Sequence, residues 1–494
     1  MITIRRETGL HQPSAELWST IVALIVGGTL LLMPQAAFSQ TITDIYNFTG
    51  TNASGIPLYV TPVQGRNGQL FGTTGGEGGT NYGTIFQLST KGSLKQLFTF
   101  NNNTGAQPNA GLTLASDGLF YGTTGLGGSA GLGVLFKISP SGTYTSLYNF
   151  TGGSDGSAPG SPPIVGSDGN LYGTTYGSST TASTVYKFVR ASGTFSAIYQ
   201  FSQSEASGVI GSLVQDTNGN LWGTAYQGGT ANCGSIFELS TSGTLLWNYS
   251  FPCQTGGANP IAGLTQAADG NFYGTTYYGG TYGFGTVFKL SGGVVSILYN
   301  FASGNDGSYP VSGVIQATDG KLYGATQGGG GPQGQGTLFQ ITTTGAYKQL
   351  FVFAGKNGEG PRSPLQDTSG IFYGTTFEGG KYSEGTVYSL NMGLGPFVAL
   401  VSYTGRVGST VQILGQGLTG TSGVTFNGVP ATSFSVVSNT YMTAVVPVGA
   451  TGGPVVVATP GGKLTSNKNY RVIPGNANAA RARFRRVAYG IPKK

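Results

Sequence analysis

Charged side chains and histidine are scarce in this chain of 494 residues. Asp, Glu, Lys and Arg together make up 8% of the residues, whereas a typical soluble domain carries about 25%. The shortage argues against long amphipathic helices and coiled coils, which need abundant Ala, Glu, Lys and Leu. The single histidine is His11, which precedes the mature chain inferred below. Ser-His-Asp and Cys-His catalysis and histidine-ligated zinc or haem are therefore excluded for the mature protein.

The chain has two cysteines, Cys233 and Cys253, and no Cys-x-x-Cys motif. Two thiolates are too few for a structural zinc site. Acidic residues such as Asp155 and Asp306 occur singly rather than as the alternating ligand set of a calcium loop. We interpret them as turn residues, with calcium binding as the alternative. We accordingly expect no metal site and no cofactor.

Long apolar runs are absent after the N-terminal region. Residues 21–33 form a thirteen-residue apolar run that follows Arg5 and Arg6 and is too short for a comfortable transmembrane helix. Pro34 ends the run, and Ala37-Phe38-Ser39 offers small residues at positions −3 and −1 of a cleavage site. We predict that residues 1–39 are a signal peptide and that the protein is secreted or held at the cell surface. An uncleaved anchor is the alternative.

The net charge of +7 is concentrated at the C-terminus. Residues 481–494 contain six basic residues and no acidic one, whereas the part between residue 39 and this tail contains 16 basic and 15 acidic residues. A nearly neutral body argues against a nucleic-acid-binding face. We interpret residues 474–494 as a linker and a solvated basic tail, with contact to an anionic membrane or polysaccharide as the alternative. We expect a monomer.

Glycine and aromatic residues are abundant, with 88 Gly and 57 Phe, Tyr and Trp. An aromatic-Gly-Thr segment recurs seven times, and its glycines are separated by 50, 51, 50, 51, 50 and 50 residues. A fixed period of this length is typical of solenoids and propellers. The seven segments are residues 70–74, 120–124, 171–175, 221–225, 272–276, 322–326 and 372–376.

The repeat unit contains four strand signals, which we name A to D in chain order. A short apolar strand A and the aromatic-Gly-Thr strand B flank turns such as Asp269-Gly270, and an alternating strand C and an aromatic strand D flank turns such as Ser242-Gly243. Such dipeptides tolerate the positive φ of tight hairpin turns. Each unit is therefore a four-stranded antiparallel meander, and seven of them predict a seven-bladed β-propeller over residues 41–392.

The seventh repeat lacks a D strand, and an orphan D-like strand, residues 41–48, opens the mature chain. We predict that these residues pair antiparallel with residues 385–390 as the outer strand of the last blade. That pairing would cover the unpaired edge and close the ring.

The two cysteines flank the C–D hairpin of the fourth repeat. A hairpin centred between Ser242 and Gly243 pairs positions whose numbers sum to 485, and the cysteine numbers sum to 486. We therefore predict that Cys233 and Cys253 oppose each other within a one-residue bulge and form a disulfide, as suits an exported protein. Two free thiols are the alternative.

The repeated pattern of Asp-Gly, Asn-Leu-Tyr-Gly-Thr-Thr, Gly-Gly and Gly-Thr-Val-Phe-Lys-Leu resembles the GloVer tandem repeat of choice-of-anchor proteins. The resemblance covers residues 41–392 in all seven units. It implies a secreted or surface-attached bacterial protein with a C-terminal attachment module, and it implies no particular chemistry.

A second module follows the repeats. Residues 396–473 alternate strand segments with Gly and Pro turns, as in residues 409–415, 424–428, 441–447 and 455–460. Their length and spacing predict a small β-sandwich. The segment resembles the IPT/TIG class of immunoglobulin-like domains, which implies a spacer or binding module. The predicted fold is therefore all-β, with a seven-bladed propeller followed by a small immunoglobulin-like sandwich.

Meander topology places the B–C and D–A loops at one end of the predicted ring, where variable residues concentrate. We favour a non-catalytic extracellular recognition or scaffold protein that binds a glycan or a protein on this face, because tyrosines can stack on sugar or peptide groups. The alternative is a carbohydrate-active enzyme, a glycosidase or lyase, that uses paired carboxylates there. The candidate ligand-binding residues are Tyr226, Tyr278, Tyr282, Tyr309, Asp306 and Glu77.

Overall fold

A computed structural model describes residues 41–50, 60–76, 81–177 and 182–473. Residue contacts divide the chain into Met1–Ser39 and Gln40–Lys494, and the description below concerns the second unit. The predicted signal peptide and the basic tail lie outside the described residues. Within those residues the fold is all-β, and one short 3₁₀ turn at Gln254–Gly256 is the only helical element. None of its helical segments has the length and apolarity needed to span a membrane.

The repeats form seven sheets in the described part of the chain, which we number in chain order. Strand β1 (Thr41–Asn47) comes first and belongs to sheet seven. Sheets one to three contain β2 (Val63–Gln64), β3 (Leu70–Thr74), β4 (Thr84–Leu88) and β5 (Leu94–Thr99); β6 (Thr113–Leu114), β7 (Phe120–Thr124), β8 (Val134–Ile138) and β9 (Tyr144–Asn149); and β10 (Ile164–Val165), β11 (Leu171–Thr175), β12 (Thr184–Val189) and β13 (Thr194–Gln200).

The remaining repeat sheets continue the same order. Sheets four to six contain β14 (Val214–Gln215), β15 (Leu221–Ala225), β16 (Ser235–Leu239) and β17 (Leu245–Ser250); β18 (Thr265–Gln266), β19 (Phe272–Thr276), β20 (Thr286–Ser291) and β21 (Val294–Asn300); and β22 (Ile315–Gln316), β23 (Leu322–Thr326), β24 (Thr337–Ile341) and β25 (Tyr347–Val352). Sheet seven contains β26 (Glu359–Pro361), β27 (Leu365–Gln366), β28 (Phe372–Glu378), β29 (Thr386–Asn391) and β1. In sheets one to six the four strands are A to D, neighbours in sequence pair antiparallel, and A is only two residues long.

The aromatic-Gly-Thr segment is the second strand of every repeat sheet, and its five core positions are buried throughout. Its glycine is required because an aromatic ring of the neighbouring strand lies very close to the glycine Cα. A Cβ at Gly223 would lie 2.4 Å from Cζ of Phe237, the residue that faces it on the neighbouring strand. The repeated glycine therefore lets an aromatic ring of strand C lie directly over strand B.

Strand β1 pairs antiparallel with β29, from Thr41 opposite Asn391 to Asn47 opposite Thr386. The predicted pairing of the first strand with the last repeat is therefore confirmed. Phe48 follows β1 and is completely buried, with its ring centroid 5.7 Å from that of Phe86 in sheet one. The first strand thus completes sheet seven and its end packs against sheet one.

A threonine on strand B joins six of the seven repeat sheets to the next sheet. Its Oγ1 donates to a carbonyl just before the next strand A, as from Thr73 to Ala110 at 2.7 Å and from Thr224 to Ala262 at 2.8 Å. Thr375 of sheet seven donates in the same way to the carbonyl of Val60, before sheet one, at 2.6 Å. The succession of sheets therefore closes on itself.

Sheet six departs from this pattern because Ala325 occupies the threonine position. The corresponding carbonyl belongs to Arg362, and the hydroxyl of Tyr388 donates to it at 2.7 Å. Five of the other sheets have phenylalanine where sheet seven has Tyr388. The added hydroxyl thus satisfies the acceptor that the alanine leaves open.

Cys233 and Cys253 form a disulfide with a Cα–Cα distance of 5.4 Å, as predicted. Strands β16 and β17 pair with numbers that sum to 485, from Ser235 opposite Ser250 to Glu238 opposite Trp247. The register then shifts between Glu238 and Leu239. The predicted register is confirmed, but the shift in the hairpin lies near the turn rather than beside the cysteines.

Two further sheets follow the repeats and enclose one hydrophobic core. One contains β30 (Ala399–Leu400), β32 (Thr410–Leu414), β36 (Tyr441–Val445) and β35 (Phe434–Ser438); the other contains β34 (Val429–Pro430), β33 (Gly423–Phe426), β37 (Val455–Thr459) and β38 (Gly462–Thr465). Strands β31 (Thr404–Arg406) and β39 (Arg471–Ile473) pair in parallel beside them. Ile413 and Met442 of the first sheet and Phe426 and Val457 of the second belong to the same buried cluster. This layered module is called the C-terminal sandwich below.

The C-terminal sandwich contacts the A–B turns of the repeat sheets. The guanidinium of Arg66 lies 4.5 Å from the ring centroid of Tyr441, and Thr440 Oγ1 donates to the Arg66 carbonyl at 2.7 Å. Gln416 Nε2 donates to Thr368 Oγ1, in the A–B turn of sheet seven, at 3.2 Å. The sandwich therefore lies against the turn end opposite to the B–C and D–A loops.

Candidate functional site

A cavity of about 610 Å³ lies at the end formed by the B–C and D–A loops. Its floor consists of residues that precede the A strands of sheets two to six, among them Ser161, Ile210 and Ser312. Its wall includes Tyr176, Tyr226, Tyr277 and Tyr278, which follow the B strands of sheets three to five. We call these four residues the tyrosine crescent.

The crescent arises from one position of the repeat. The residue directly after the second threonine of strand B, or after its replacement, is the rim position, and it is occupied in chain order by Gly75, Gly125, Tyr176, Tyr226, Tyr277, Gln327 and Phe377. Strand B ends one residue before this position in sheets one to six. Three successive sheets present tyrosine there, whereas the first two present glycine.

Tyr226 and Tyr277 of the crescent are partly buried, whereas Tyr176 and Tyr278 are exposed. The ring centroids of Tyr277 and Tyr278 are 4.5 Å apart, and Tyr309 packs against them at 5.2 and 5.5 Å. Burial raises the pKa of Tyr226, and the neighbouring Tyr278 and Tyr176 raise it further. Burial raises the pKa of Tyr277, and the neighbouring Tyr278 raises it further. The hydroxyls of Tyr226 and Tyr277 are accordingly neutral donors and acceptors near neutral pH.

Asn259 links the crescent to the disulfide. Its N–H donates to the carbonyl of Cys233 at 2.7 Å, and its carbonyl accepts the N–H of Tyr277 at 3.1 Å. Its side-chain Nδ2 donates to the carbonyl of Tyr226 at 2.8 Å. Asn259 has a φ of 60°, a left-handed conformation that Asn tolerates better than most residues. The disulfide-bonded loops therefore hold the backbone of two crescent residues.

None of the described residues that line the cavity carries a charge. Apolar Ile210, Ile261 and Val311 alternate with groups that can hydrogen-bond, such as Asn109 and Gln327. A mainly apolar and aromatic wall with a few polar groups is the usual composition of a small-molecule site. The cavity therefore suits a neutral ligand that combines apolar faces with hydroxyl or amide groups.

The acidic residues of the D–A loops are used to form turns. Asp155 accepts from Thr151 N at 2.7 Å, Thr151 Oγ1 at 2.7 Å and Tyr148 Oη at 3.0 Å. Burial would raise its pKa, but these hydrogen bonds outweigh that effect and lower it. Asp306 accepts from Tyr299 Oη and Ala302 N, both at 2.9 Å. Glu205 is held in the same manner by Tyr199 and Ser202.

The six predicted ligand-binding residues separate into groups. Tyr226 and Tyr278 line the cavity, and Tyr309 packs behind the crescent. Tyr282 is 58% exposed and does not line the cavity. Asp306 forms a turn, and Glu77 lies outside the described residues. Sequence reasoning missed Tyr176 and Tyr277, which reading the rim position across all seven repeats would have found.

Potential metal-ligating side chains are dispersed in the described part of the chain. Within residues 41–50, 60–76, 81–177 and 182–473, no three His, Cys, Asp or Glu side chains are grouped closely enough to hold a metal ion. The turn aspartates explain this distribution, since each accepts hydrogen bonds from its own loop and strand.

Three overlapping stretches of the chain, residues 27–179, 152–331 and 211–437, match the sequence profile of the Gloeobacter/Verrucomicrobia repeat. Together they span most of the chain, which therefore belongs to this repeat family. The predicted resemblance to the GloVer repeat is thereby confirmed. No curated protein shows significant similarity to the chain.

Solved structures resemble the fold at low sequence identity. A fungal alcohol oxidase of the AA5 family, in complex with copper, is 14% identical and superposes with a TM-score of 0.51, covering 88% of this chain and 99% of its own. The periplasmic gluconolactonase of Pseudomonas aeruginosa is 18% identical, covering 64% of this chain and 95% of its own, with a TM-score of 0.44. A putative 6-phosphogluconolactonase from Bacteroides uniformis is 15% identical, covering 62% and 88%, with a TM-score of 0.44. The first likeness supports a propeller-like fold and says nothing about chemistry.

Proposed function

We propose that this protein is an exported recognition protein that holds its ligand in the tyrosine-lined cavity of a seven-bladed β-propeller. The seven repeat sheets are the blades, and β1 closes the last of them. The C-terminal sandwich is an immunoglobulin-like module of the IPT/TIG class that serves as a spacer or attachment module. Residues 1–39 direct export, and the protein acts outside the cell or at its surface.

The threonine hydrogen bonds between sheets support the propeller architecture. They run in one direction around the repeats, and the bond from Thr375 to the carbonyl of Val60 joins residues more than 300 positions apart. A radial arrangement of four-stranded sheets requires such contact between the last sheet and the first. A rigid ring of this kind can hold loop side chains in fixed positions around its axis.

The observation that carries the proposed function is the tyrosine crescent beside a cavity whose described lining carries no charge. Glycosidases and lyases of the alternative hypothesis need carboxylates beside the substrate. The described lining of the cavity contains none, and Asp306 and Asp155 are engaged in turns. Binding without turnover is therefore the function that this arrangement supports best.

The position of the C-terminal sandwich is compatible with recognition at a surface. Because the sandwich lies against the A–B turns, through Arg66 and Tyr441, the B–C and D–A end is left open. Attachment through the sandwich would direct the cavity away from the attachment point. This arrangement favours a scaffold that presents its cavity to the medium.

The test compares the mature protein, residues 40–494, with two variants on arrays of glycans and of extracellular proteins. The double variant Tyr226→Ala/Tyr277→Ala removes two rings of the crescent, and Tyr282→Ala removes an exposed ring outside the cavity. We expect at least one arrayed ligand to bind the wild-type protein and the Tyr282 variant, and to bind the double variant at least tenfold more weakly.

Two results would contradict the proposed function. One is equal binding by the wild-type protein and the double variant for every bound ligand. The other is release of reducing sugars from a polysaccharide that Asp306→Asn or Glu77→Gln abolishes, which would support the glycosidase or lyase alternative. Circular dichroism of each variant shows whether it has kept the β-sheet fold.

A further inference from the structure

We infer that the ligand of the cavity is a neutral saccharide whose sugar rings stack on the tyrosine crescent. This inference rests on the proposed function and adds the chemical class of the ligand. It follows from the charge, the size and the distribution of aromatic and polar groups in the cavity.

The charge of the site argues against ionic ligands. An acidic polysaccharide or a phosphorylated ligand would be recognised by Arg and Lys side chains, and a basic peptide by Asp and Glu. The described residues that line the cavity include none of these. The hydroxyls of Tyr226 and Tyr277 are neutral near pH 7, because burial raises their pKa above the ordinary value for tyrosine. A neutral ligand is the kind that loses the least solvation energy on entering such a site.

The size of the site argues against a folded protein partner. A volume of about 610 Å³ falls in the range of about 300–1,000 Å³ that is usual for small-molecule sites. A stable protein–protein contact instead needs about 800 Å² of surface on each partner. The ligand is therefore a small molecule or a short segment of a chain.

The exposed rings of the tyrosine crescent fit a sugar. Tyr176 and Tyr278 are 38% and 42% exposed, so part of each ring is open to solvent beside the cavity. A pyranose has an apolar face of C–H groups and an edge of hydroxyls, so its face can lie on a tyrosine ring.

Hydrogen-bonding groups also line the cavity. Asn109 and Gln327 supply amides, and Ser212 supplies a hydroxyl before strand A of sheet four. Each amide or hydroxyl can donate and accept, which matches sugar hydroxyls that also do both. Stacking on the wall and hydrogen bonds to the floor would together hold a short oligosaccharide.

The experiment is calorimetric titration of the mature protein with neutral hexasaccharides of glucose, mannose, xylose, galactose and N-acetylglucosamine. An oligogalacturonate hexamer serves as the acidic comparison. We expect at least one neutral hexasaccharide to bind, with an affinity that changes little between 50 mM and 500 mM NaCl, because no ion pair contributes. Tyr226→Ala should weaken this binding at least tenfold, whereas Tyr226→Phe, which keeps the ring, should weaken it less than threefold. Tyr282→Ala should leave it unchanged.

The outcomes separate this inference from the proposed function. Failure of every neutral hexasaccharide to bind overturns the inference. Binding of only the acidic hexamer, or only of an arrayed protein, also overturns it, but leaves the proposed function intact if the crescent double variant abolishes that binding. Saccharide binding that Tyr226→Ala and Tyr277→Ala leave unchanged overturns both, because the ligand then lies elsewhere.

Discussion

The two ends of the repeat sheets use tyrosine in different ways. At the A–B end, a strand B tyrosine donates to the aspartate of the preceding turn in four sheets: Tyr121 to Asp117 at 2.8 Å, Tyr172 to Asp168 at 2.8 Å, Tyr273 to Asp269 at 2.7 Å and Tyr323 to Asp319 at 2.9 Å. At the B–C and D–A end, the rim position changes from glycine to tyrosine, glutamine and phenylalanine around the molecule. One end repeats an interaction and the other varies a side chain.

This difference indicates that residues at the A–B end stabilise the sheets, whereas residues at the B–C and D–A end are available for recognition. A contact that recurs in sheet after sheet serves the packing of each unit, since every sheet must solve the same problem. A position whose backbone is fixed but whose side chain changes is free to be used for a ligand. The predictions below therefore alter each end separately, after a first change that affects both.

The largest loss of stability is expected from weakening the contact between sheets seven and one. Phe48 is completely buried between sheets seven and one, so Phe48→Ala should lower the free energy of unfolding by about 3–5 kcal/mol. Thr43→Ala, an exposed position on the same strand, should change it by less than about 0.5 kcal/mol. Urea denaturation followed by tyrosine and tryptophan fluorescence measures both. A Phe48 variant as stable as the Thr43 variant would show that the end of β1 does not hold the ring closed.

Removal of the disulfide should have the next largest effect, at the variable end. Cys233→Ser/Cys253→Ser should lower stability by about 3 kcal/mol, because the unfolded chain loses the constraint of a loop of this length. Ligand affinity should also fall, since the Cys233 carbonyl positions Asn259, which holds Tyr226 and Tyr277. Dithiothreitol should lower both stability and ligand affinity in the wild-type protein. It should have no effect on the Cys233→Ser/Cys253→Ser variant. Unchanged affinity after reduction would separate the disulfide from the crescent.

Much of the fold could be predicted from the sequence because the repeat makes each interaction visible seven times. Local patterns predict the strand B segments and the pairing of β1 with β29. They also predict the pairing register of the fourth hairpin, in which the numbers of paired residues sum to 485. The shift between Glu238 and Leu239 was misplaced because a sum of residue numbers gives the size of a register change but not its position. Strand β26, which pairs with β28 through Glu359 and Pro361, was not predicted. It extends a bridge between the D–A and B–C loops that four other repeats form at the same position, as between Ala106 and Leu126.

The candidate site was less predictable because it depends on which variable residues point towards the axis. Tyr282 and Tyr278 lie in the same B–C loop, but only Tyr278 lines the cavity. Tyr277 was overlooked because it directly follows the repeated segment and resembles a continuation of it. The role of Asp306 could not be predicted from the sequence, because a carboxylate in a loop can either accept hydrogen bonds within a turn or bind a ligand.

A smaller loss is expected from Asp155→Asn, which weakens a turn at the variable end without touching the cavity. Hydrogen bonds to a charged group contribute more than neutral ones, and we expect a loss of about 2 kcal/mol at pH 7. The folded-state pKa of Asp155 is lowered, so its contribution is present above the ordinary aspartate pKa and is lost as the pH falls through the lowered value. The stability difference between wild type and variant should therefore shrink on acidification below about pH 4. A difference independent of pH would contradict an ionised role, and ligand affinity at pH 7 should not change.

The smallest effect is expected at the repeated end, from Tyr273→Phe. The change removes only the hydroxyl that donates to Asp269 at 2.7 Å. Asp269 keeps hydrogen bonds from Asn271 N and Nδ2 and lies 3.7 Å from Lys289 Nζ, so it is not left unsatisfied. The loss should therefore be about 1 kcal/mol, the ordinary contribution of one hydrogen bond. A double-mutant cycle with Asp269→Asn isolates the pair, and a positive coupling energy is expected because the two groups are in contact.

Saccharide affinity should be the same for Tyr273→Phe and wild type, whereas Tyr226→Ala should lower affinity with little change in stability. If Tyr273→Phe weakens binding as much as Tyr226→Ala does, the two ends are coupled and the division between a repeated structural end and a variable binding end is wrong.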